Sequence, residues 1–272
     1  MIHADLHSHT LLTDGTLTPE QLVDAAAAAG LKVFALTDHD STEGLERTRE
    51  QCKVRGLEWV PGVEISCEYA ETGCHLLGLF LQDWEQPALQ RIFDASKDER
   101  RARVYKQVER LVELGYAITV EEIFARAGGQ TVAKPHTADA LIAKGYFKDR
   151  DEVFDQLLGD GKPGHVGRAR LLLKDAITAV KNAGGQPFIA HPILENFSDD
   201  QLREMQALGV VGIEINHPDQ DATARARYRA LAKELQWAVS GGSDFHLTPR
   251  DALGKNGLTK PEYEELCASL GV

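Results

Sequence analysis

The chain has 272 residues, 43% of them apolar and 26% charged, with a formal net charge of −12. That length can bury a full core, as one α/β barrel or as two smaller domains, and no apolar run approaches the roughly 20 residues of a membrane span. The acidic balance argues against coating long nucleic acid, which calls for a basic face; it leaves room for a small anionic substrate, because bound divalent cations reverse the sign locally.

The N-terminus, Met1-Ile2-His3-Ala4-Asp5, has no basic region followed by an apolar one, so no signal peptide is expected and the cytoplasm is the default compartment. The four cysteines, Cys52, Cys67, Cys74 and Cys267, show no Cys-x-x-Cys spacing and read as small core or surface residues.

Residues 1–7 read as a strand that runs into Asp5-Leu6-His7-Ser8-His9. Positions i and i+2 of a strand point the same way, so His7 and His9 leave it side by side. Asp14 follows in a Thr13-Asp14-Gly15 turn. Thr18-Pro19-Glu20 opens a helix that runs to Gly30. A buried-looking strand over 33–38 ends at His39, and Asp40 or Ser41 is expected to cap a helix reaching about Gly56. A third strand, 57–67, broken at Pro61-Gly62, carries Glu64; a fourth, 74–81, has His75 at its start.

From Pro87 to about His165 no convincing strand appears. Residues 90–114 form a charged amphipathic helix, and shorter helices cover 120–127, 135–144 and 150–158. Apolar residues recur at helical spacing, which marks a folded insertion rather than a linker. Alternation resumes at Leu171, with a helix to Gly184-Gly185, then strands at 187–192, 211–218 and 237–246 separated by helices at 199–208 and 221–235. Seven strands mostly separated by helices favour an α/β fold, a parallel barrel-like sheet. Residues 1–86 and 166–272 would make the barrel, and 87–165 a helical subdomain capping the substrate.

Nine candidate ligands come from this pattern: His7, His9, Asp14, His39, Glu64, His75, His191, Asp244 and His246. All but His75 and the turn residue Asp14 fall at strand ends, the rim where such barrels build sites. Imidazole mixed with carboxylate suits two or three divalent ions of the Mn, Fe or Zn type over Ca or Mg, and Glu64 could bridge two of them.

Five motifs in order, Asp5-Leu6-His7-Ser8-His9-Thr10, Thr37-Asp38-His39-Asp40, Gly62-Val63-Glu64, Ala190-His191-Pro192 and Gly242-Ser243-Asp244-Phe245-His246, resemble the PHP (polymerase and histidinol phosphatase) family. The resemblance implies a distorted (β/α)7 barrel and manganese as the most expected metal. By the same resemblance His7, His9, Glu64 and Asp244 hold one ion, Glu64, His75 and His191 a second, and Asp14, His39 and His246 a third. Within the insertion, Lys134-Pro135-His136 and the Gly145, Phe154 and Gly161-Lys162 positions are similar to the TrpH-like branch of that family. That branch includes a bacterial nucleotide bisphosphate phosphatase and relatives that trim short RNA from the 5′ end. Lys134 stands where relatives often carry Arg, keeping the charge without the bidentate fork.

The implied reaction is removal of the 3′-phosphate of a nucleoside 3′,5′-bisphosphate by hydroxide generated on the ions, since metal binding brings the pKa of water from about 15.7 toward 7. His7, His9, Glu64, Asp244 and His246 are the expected catalytic set. Ser8, Lys134, His136, Arg168, Arg170 and His217 are candidate substrate contacts. A 5′→3′ exonuclease acting on short oligonucleotides in the same site is the second reading. Histidinol phosphatase and a non-catalytic binding module follow. The expected partner is a small nucleotide, with no membrane and no obligatory protein. Asp5 and Asp38 are expected to orient histidine ligands, and the Lys97–Lys106 charge run to be a solvated helix face.

Overall fold

The computed structural model describes residues 1–127, 132, 134–159, 161–167, 171–246 and 252–272. β1 (Ala4–Asp5), β2 (Val33–Leu36) and β3 (Glu58–Tyr69) are parallel neighbours joined through α1 (Pro19–Ala28) and α2 (Leu45–Arg55). Thr18 Oγ1 accepts the Gln21 N–H and Gln21 Oε1 accepts the Thr18 N–H, a reciprocal cap that starts α1 where Thr18-Pro19 predicts.

Two local expectations fail here. α2 begins after Gly44 with no side-chain cap, because Asp40 Oδ1 is engaged elsewhere: it accepts the Ser66 N–H at 2.8 Å and ties the exit of β2 to β3. Nor does Pro61-Gly62 break β3. Pro61 lacks only a donor, and its carbonyl still accepts the Leu81 N–H at 3.2 Å.

β4 (Thr72–Leu79) runs antiparallel to β3 after an Ala70-Glu71 turn, both residues with positive φ. β5 (Leu171–Leu172) adds a short parallel pairing to β3 at Cys67 and Glu68. β6 (Gln186–Ile189) is antiparallel to β4, and β7 (Gly212–Asn216) and β8 (Ala238–Gly241) continue in parallel. The order is β1-β2-β3-β4-β6-β7-β8 with β5 attached to β3, so the described residues hold a seven-strand path plus an eighth short strand. Backbone bonds join its ends: Leu6 N–H to Gly241 O at 3.1 Å, Asp244 N–H to His7 O at 2.9 Å, and His9 N–H to Phe245 O at 3.1 Å. This is the expected distorted barrel, with one strand reversed.

Alternate residues segregate. Ala4, Val33, Ala35, Val60, Leu77, Leu79, Phe188 and Ala190 form one apolar cluster. Phe34, Leu36, Val63, Ile65, Leu76 and Ile213 form another with helix residues such as Leu22, Leu45, Ile177 and Leu202. Two-sided burial is what parallel strands covered by helices require. The covering helices include α7 (Leu173–Asn182), α8 (Asp199–Leu208), with a Ser198–Gln201 cap, and α9 (Ala222–Leu235), capped by Asp221. A further helix, α10 (Lys260–Leu270), is absent from the sequence reading; its Tyr263 hydroxyl donates to Glu58 Oε1 at 2.5 Å, at the start of β3.

The chain divides into two compact units, Met1–Phe93 with Arg170–Val272, and Asp94–Ala169. α3 (Pro87–Glu113) spans the division. The second unit contains α4 (Val120–Ala127), α5 (Lys134–Ala143) and α6 (Arg150–Val153), which runs on as a π-helical turn over Phe154–Leu158. It has its own aliphatic core, including Leu111, Ile123, Leu141, Val153 and Leu157. Among the described residues no helix is long and apolar enough to cross a membrane.

Candidate metal centre

All nine candidates lie in the barrel unit. His7 and His9 follow β1, His39 follows β2, Glu64 lies within β3, His191 follows β6, and Asp244 and His246 follow β8. His75, the apparent exception at a strand start, is explained by the reversal of β4. It stands opposite Ser66, two residues beyond Glu64, level with the exits of the parallel strands.

Three groups of donors form. One atom from each of His7, His9, Glu64 and Asp244 lies within 4.8 Å of all the others; so do atoms of His39, Glu64 and His75, and of His9, Asp14, His39 and His246. His191 completes a triangle with the second group: Glu64 Oε1 is 2.9 Å from His75 Nδ1 and 3.0 Å from His191 Nε2, and those nitrogens are 3.3 Å apart. His9, His39 and Glu64 therefore each belong to two groups, and Glu64 presents Oε2 to His7, His9 and His39 and Oε1 to His75 and His191.

The spacing fits ions. Two ligands about 2.1 Å from one metal at tetrahedral or octahedral angles sit about 3.0–3.4 Å from each other. His7 Nε2 and His9 Nε2 lie 3.3 and 3.2 Å from Glu64 Oε2, and 3.3 and 3.0 Å from Asp244 Oδ1. Yet His7 Nε2, both His9 nitrogens, His39 Nδ1 and Glu64 Oε2 are buried and make no hydrogen bond of acceptable geometry. Buried polar atoms left that way are costly; lone pairs aimed at a common point are what a metal would repay.

The electrostatics agree. Burial alone would lower the basicity of His7 and His9, but the carboxylates around them win: Glu214, Asp244 and Glu64 hold His7 well above its usual value, and Asp244 and Glu64 push His9 up to about 10. Burial would likewise raise Glu64 and Asp244, but the surrounding histidines hold both well below the carboxylate range. His75 is the exception, lowered by its burial. Protons thus occupy places that divalent ions would take.

Access is uneven. The side chains of His7, His9 and Glu64 are fully buried, whereas Asp14, His75, His246 and Asp244 are 37%, 29%, 27% and 22% exposed. The exposed side of the site is therefore the one that Asp14, His246 and His75 form.

The surrounding residues depart from expectation. Asp5 orients no ring: its Oδ1 accepts the Ser243 N–H at 2.9 Å and the His7 N–H at 3.4 Å, joining the two ends of the barrel seam. Asp38 braces the loop that carries Asp14, accepting from Thr10 N, Thr10 Oγ1 and Thr13 Oγ1 at 2.6–2.7 Å. Ser8 is fully buried and its hydroxyl donates to Ala35 O at 2.7 Å, so it is not available to a phosphate. His217 is also fully buried: its Nδ1 accepts the Asp219 N–H and its Nε2 donates to Asp244 Oδ2 at 3.2 Å, steadying a candidate ligand rather than meeting substrate.

Lys134 and His136 begin α5 in the second unit, where Lys134 Nζ lies 3.4 Å from His165 Nδ1. Arg168 and Arg170 lie outside the described residues. Glu214 was missed. Its signal was a carboxylate between Ile213 and Ile215 in an apolar strand, since a buried charge must be matched by donors; it lies 3.0 Å from His7 Nδ1.

Backbone strain gathers here too. His191 and Asp244 have φ of +23° and +51°, which non-glycine residues seldom adopt and which cluster at functional sites. A Cβ at Gly242 would sit 2.4 Å from His7 N, so only glycine lets the β8 exit close on the first histidine.

Comparison with known proteins agrees with this geometry. Residues 3–182 match the PHP domain family. The chain is 31% identical to a 3′,5′-nucleoside bisphosphate phosphatase of Chromobacterium violaceum, covering 98% of this chain and 93% of the relative. It is 32% identical to a 5′-3′ exoribonuclease of Haemophilus influenzae, over 89% of each. It is 33% identical to a phosphoribosyl 1,2-cyclic phosphate 1,2-diphosphodiesterase of Eggerthella lenta, over 89% of this chain and 93% of that one. A solved structure from Bifidobacterium adolescentis, named as a metal-dependent phosphoesterase, superposes with a TM-score of 0.87 at 30% identity, over 98% of this chain and 96% of that one. Barrel, donor groups and relatives together define a metal-dependent phosphoesterase. The chain belongs to the PHP domain family.

Proposed function

We propose that this protein removes the 3′-phosphate from nucleoside 3′,5′-bisphosphates, leaving a nucleoside 5′-monophosphate and inorganic phosphate. One observation carries the reading: the likeness to the bisphosphate phosphatase runs nearly end to end in both chains, insertion included. On this reading His7, His9, Glu64 and Asp244 hold one ion, Glu64, His75 and His191 a second, and Asp14, His39 and His246 a third. Manganese is the expected metal, and the cytoplasm the expected workplace. Bound ions supply water activated at neutral pH and positive charge against the phosphoryl oxygens.

The remaining work falls to the chain's own groups. Glu64, met by His7 and His9 at one oxygen and by His75 and His191 at the other, would be shared by the first two ion positions. His246 Nε2 and Asp14 Oδ1 lie 3.2 Å apart on the exposed side; they would hold the third ion or, without it, share a proton that the leaving 3′-oxygen could take. Lys134, His136 and Arg168 or Arg170 are the candidate contacts for the second phosphate. Such remote contacts raise the rate by fixing the reacting group in place.

The test is incubation of purified, manganese-loaded protein with adenosine 3′,5′-bisphosphate. AMP and phosphate in equal amounts are expected. If no AMP formed while a 5′-phosphorylated oligoribonucleotide was shortened, the second reading, 5′→3′ exonuclease, would replace the first; the exoribonuclease relative is the observation in its favour. A chain that took up no transition metal and cleaved no phosphoester would be a binding module instead.

A further inference from the structure

Glu214 lies within β7, fully buried, between two of the donor groups. Its Oε1 is 3.0 Å from His7 Nδ1, and its Oε2 accepts the His191 N–H at 2.9 Å. The carboxylate thus spends one oxygen on each group. A carboxylate only accepts, so the His7 nitrogen facing it must carry the hydrogen. That leaves His7 Nε2 as the lone pair directed at Glu64 Oε2 and Asp244 Oδ1, 3.3 Å from each. His191 turns through a φ of +23°, and the bond to its N–H holds that turn, with its Nε2 at 3.0 Å from Glu64 Oε1.

We infer that Glu214 is a positioning residue that sets the first two ion positions together, fixing the His7 tautomer for one and the His191 backbone for the other. The inference rests on the ligand assignment proposed above. Glutamine cannot take its place. The amide oxygen can serve one of the two N–H donors, and its NH2 then meets the other donor head-on. If the NH2 faces His7, it draws the ring hydrogen to Nε2, the nitrogen that should be bare.

Glu214→Gln tests this by zinc and manganese titration followed by metal analysis, alongside melting of the metal-free protein. The expected result is half-occupancy of both positions at about 10–100-fold higher metal, the usual effect of losing a partner behind a ligand, with Glu214→Asp recovering part of the loss. Titrations that superimpose on wild type, with only the melting temperature changed, would overturn the inference and leave a structural role. Should the glutamine variant not fold, the zinc-loaded wild-type protein decides by nitrogen-15 spectra of His7. A slowly exchanging Nδ1–H with zinc on Nε2 is expected, and zinc on Nδ1 overturns the inference. Wild-type protein that binds no metal would instead sink the ligand assignment itself.

Discussion

Charge works in opposite ways at the barrel unit's site and on the surface of the second unit. In the barrel unit the acids Asp5, Asp38, Glu64 and Glu214 are at most 1% exposed, and each holds a histidine or a backbone donor beside the site. In the second unit the ion pairs Arg150–Asp139, Lys144–Glu122 and Arg110–Glu113 have side chains 30–67% exposed around an aliphatic core. Exposed pairs of that kind contribute about 0–1 kcal/mol each. Buried acids cost far more than that unless something charged answers them. The first arrangement is therefore a statement about chemistry, and the second about solubility and fold.

The sharpest way to break that contrast is Glu64→Gln. Glu64 is approached at 2.9–3.3 Å by nitrogens of His7, His9, His39, His75 and His191. On the proposed assignment, removing its charge removes the one group shared by the first two ion positions. Metal content should fall by at least one ion per chain. The rate constant kcat should drop at least about 10³-fold, the equivalent of several kcal/mol of metal-derived stabilisation. Full metal content with kcat within tenfold of wild type would show that Glu64 is not the bridge.

The same contrast predicts how the metal-free barrel responds to pH. The folded His9 value is raised from 6.5 to about 10. A raised base stabilises the fold fully below its unfolded value and loses that contribution as pH rises through its folded value. The chelated protein should therefore melt at progressively lower temperature from about pH 7 to 10. Ions need neutral imidazole, so metal affinity should climb across the same window and loading should release protons. Calorimetric titrations in buffers of different ionisation enthalpy measure that release; observed heats that are the same in every buffer would count against it.

Much of this is legible in the sequence. The helix starts at Thr18, Ser198 and Asp221 are written in local hydrogen-bonding residues, and histidines or acids closing apolar strands mark a rim. What escaped depends on partners distant in sequence. The reversal of β4 is made by Ala70-Glu71, which has positive φ without the Gly or Asn that normally announces such a turn. Ser8 looked free because Ala35 O, which takes its hydroxyl, comes from the neighbouring strand. His217 looked open because Asp244 and Asp219, which satisfy its ring, come from other segments. Glu214 carried no motif at all, only the oddity of an acid between two isoleucines.

A smaller effect is expected from Asp38→Asn. Its carboxylate is 1% exposed and takes three donors from the loop that carries Asp14, two of them hydroxyls. The amide keeps the shape but turns one acceptor into a donor, so at least one threonine contact is lost. The third donor group should loosen while the first two keep their ions, and kcat should fall about tenfold, as is usual when a residue supporting a ligand is altered. Metal analysis separates the outcomes: loss of the more buried ions as well would mean that Asp38 supports the barrel exit as a whole rather than one loop.

The mildest change tests the other side of the comparison. Lys134 is partly exposed at the start of α5, and replacing such a residue usually shifts stability by less than about 0.5 kcal/mol. Lys134→Ala should therefore leave the melting temperature nearly unchanged. If Lys134 holds the phosphate that does not react, KM for the bisphosphate should rise about tenfold, the worth of one lost charge-assisted contact of about 1.4 kcal/mol. KM for a simple aryl phosphate, which has no second anion to lose, should stay where it is. Equal shifts on both substrates would move Lys134 out of the anchor and return its charge to the solvated surface that the rest of its unit presents.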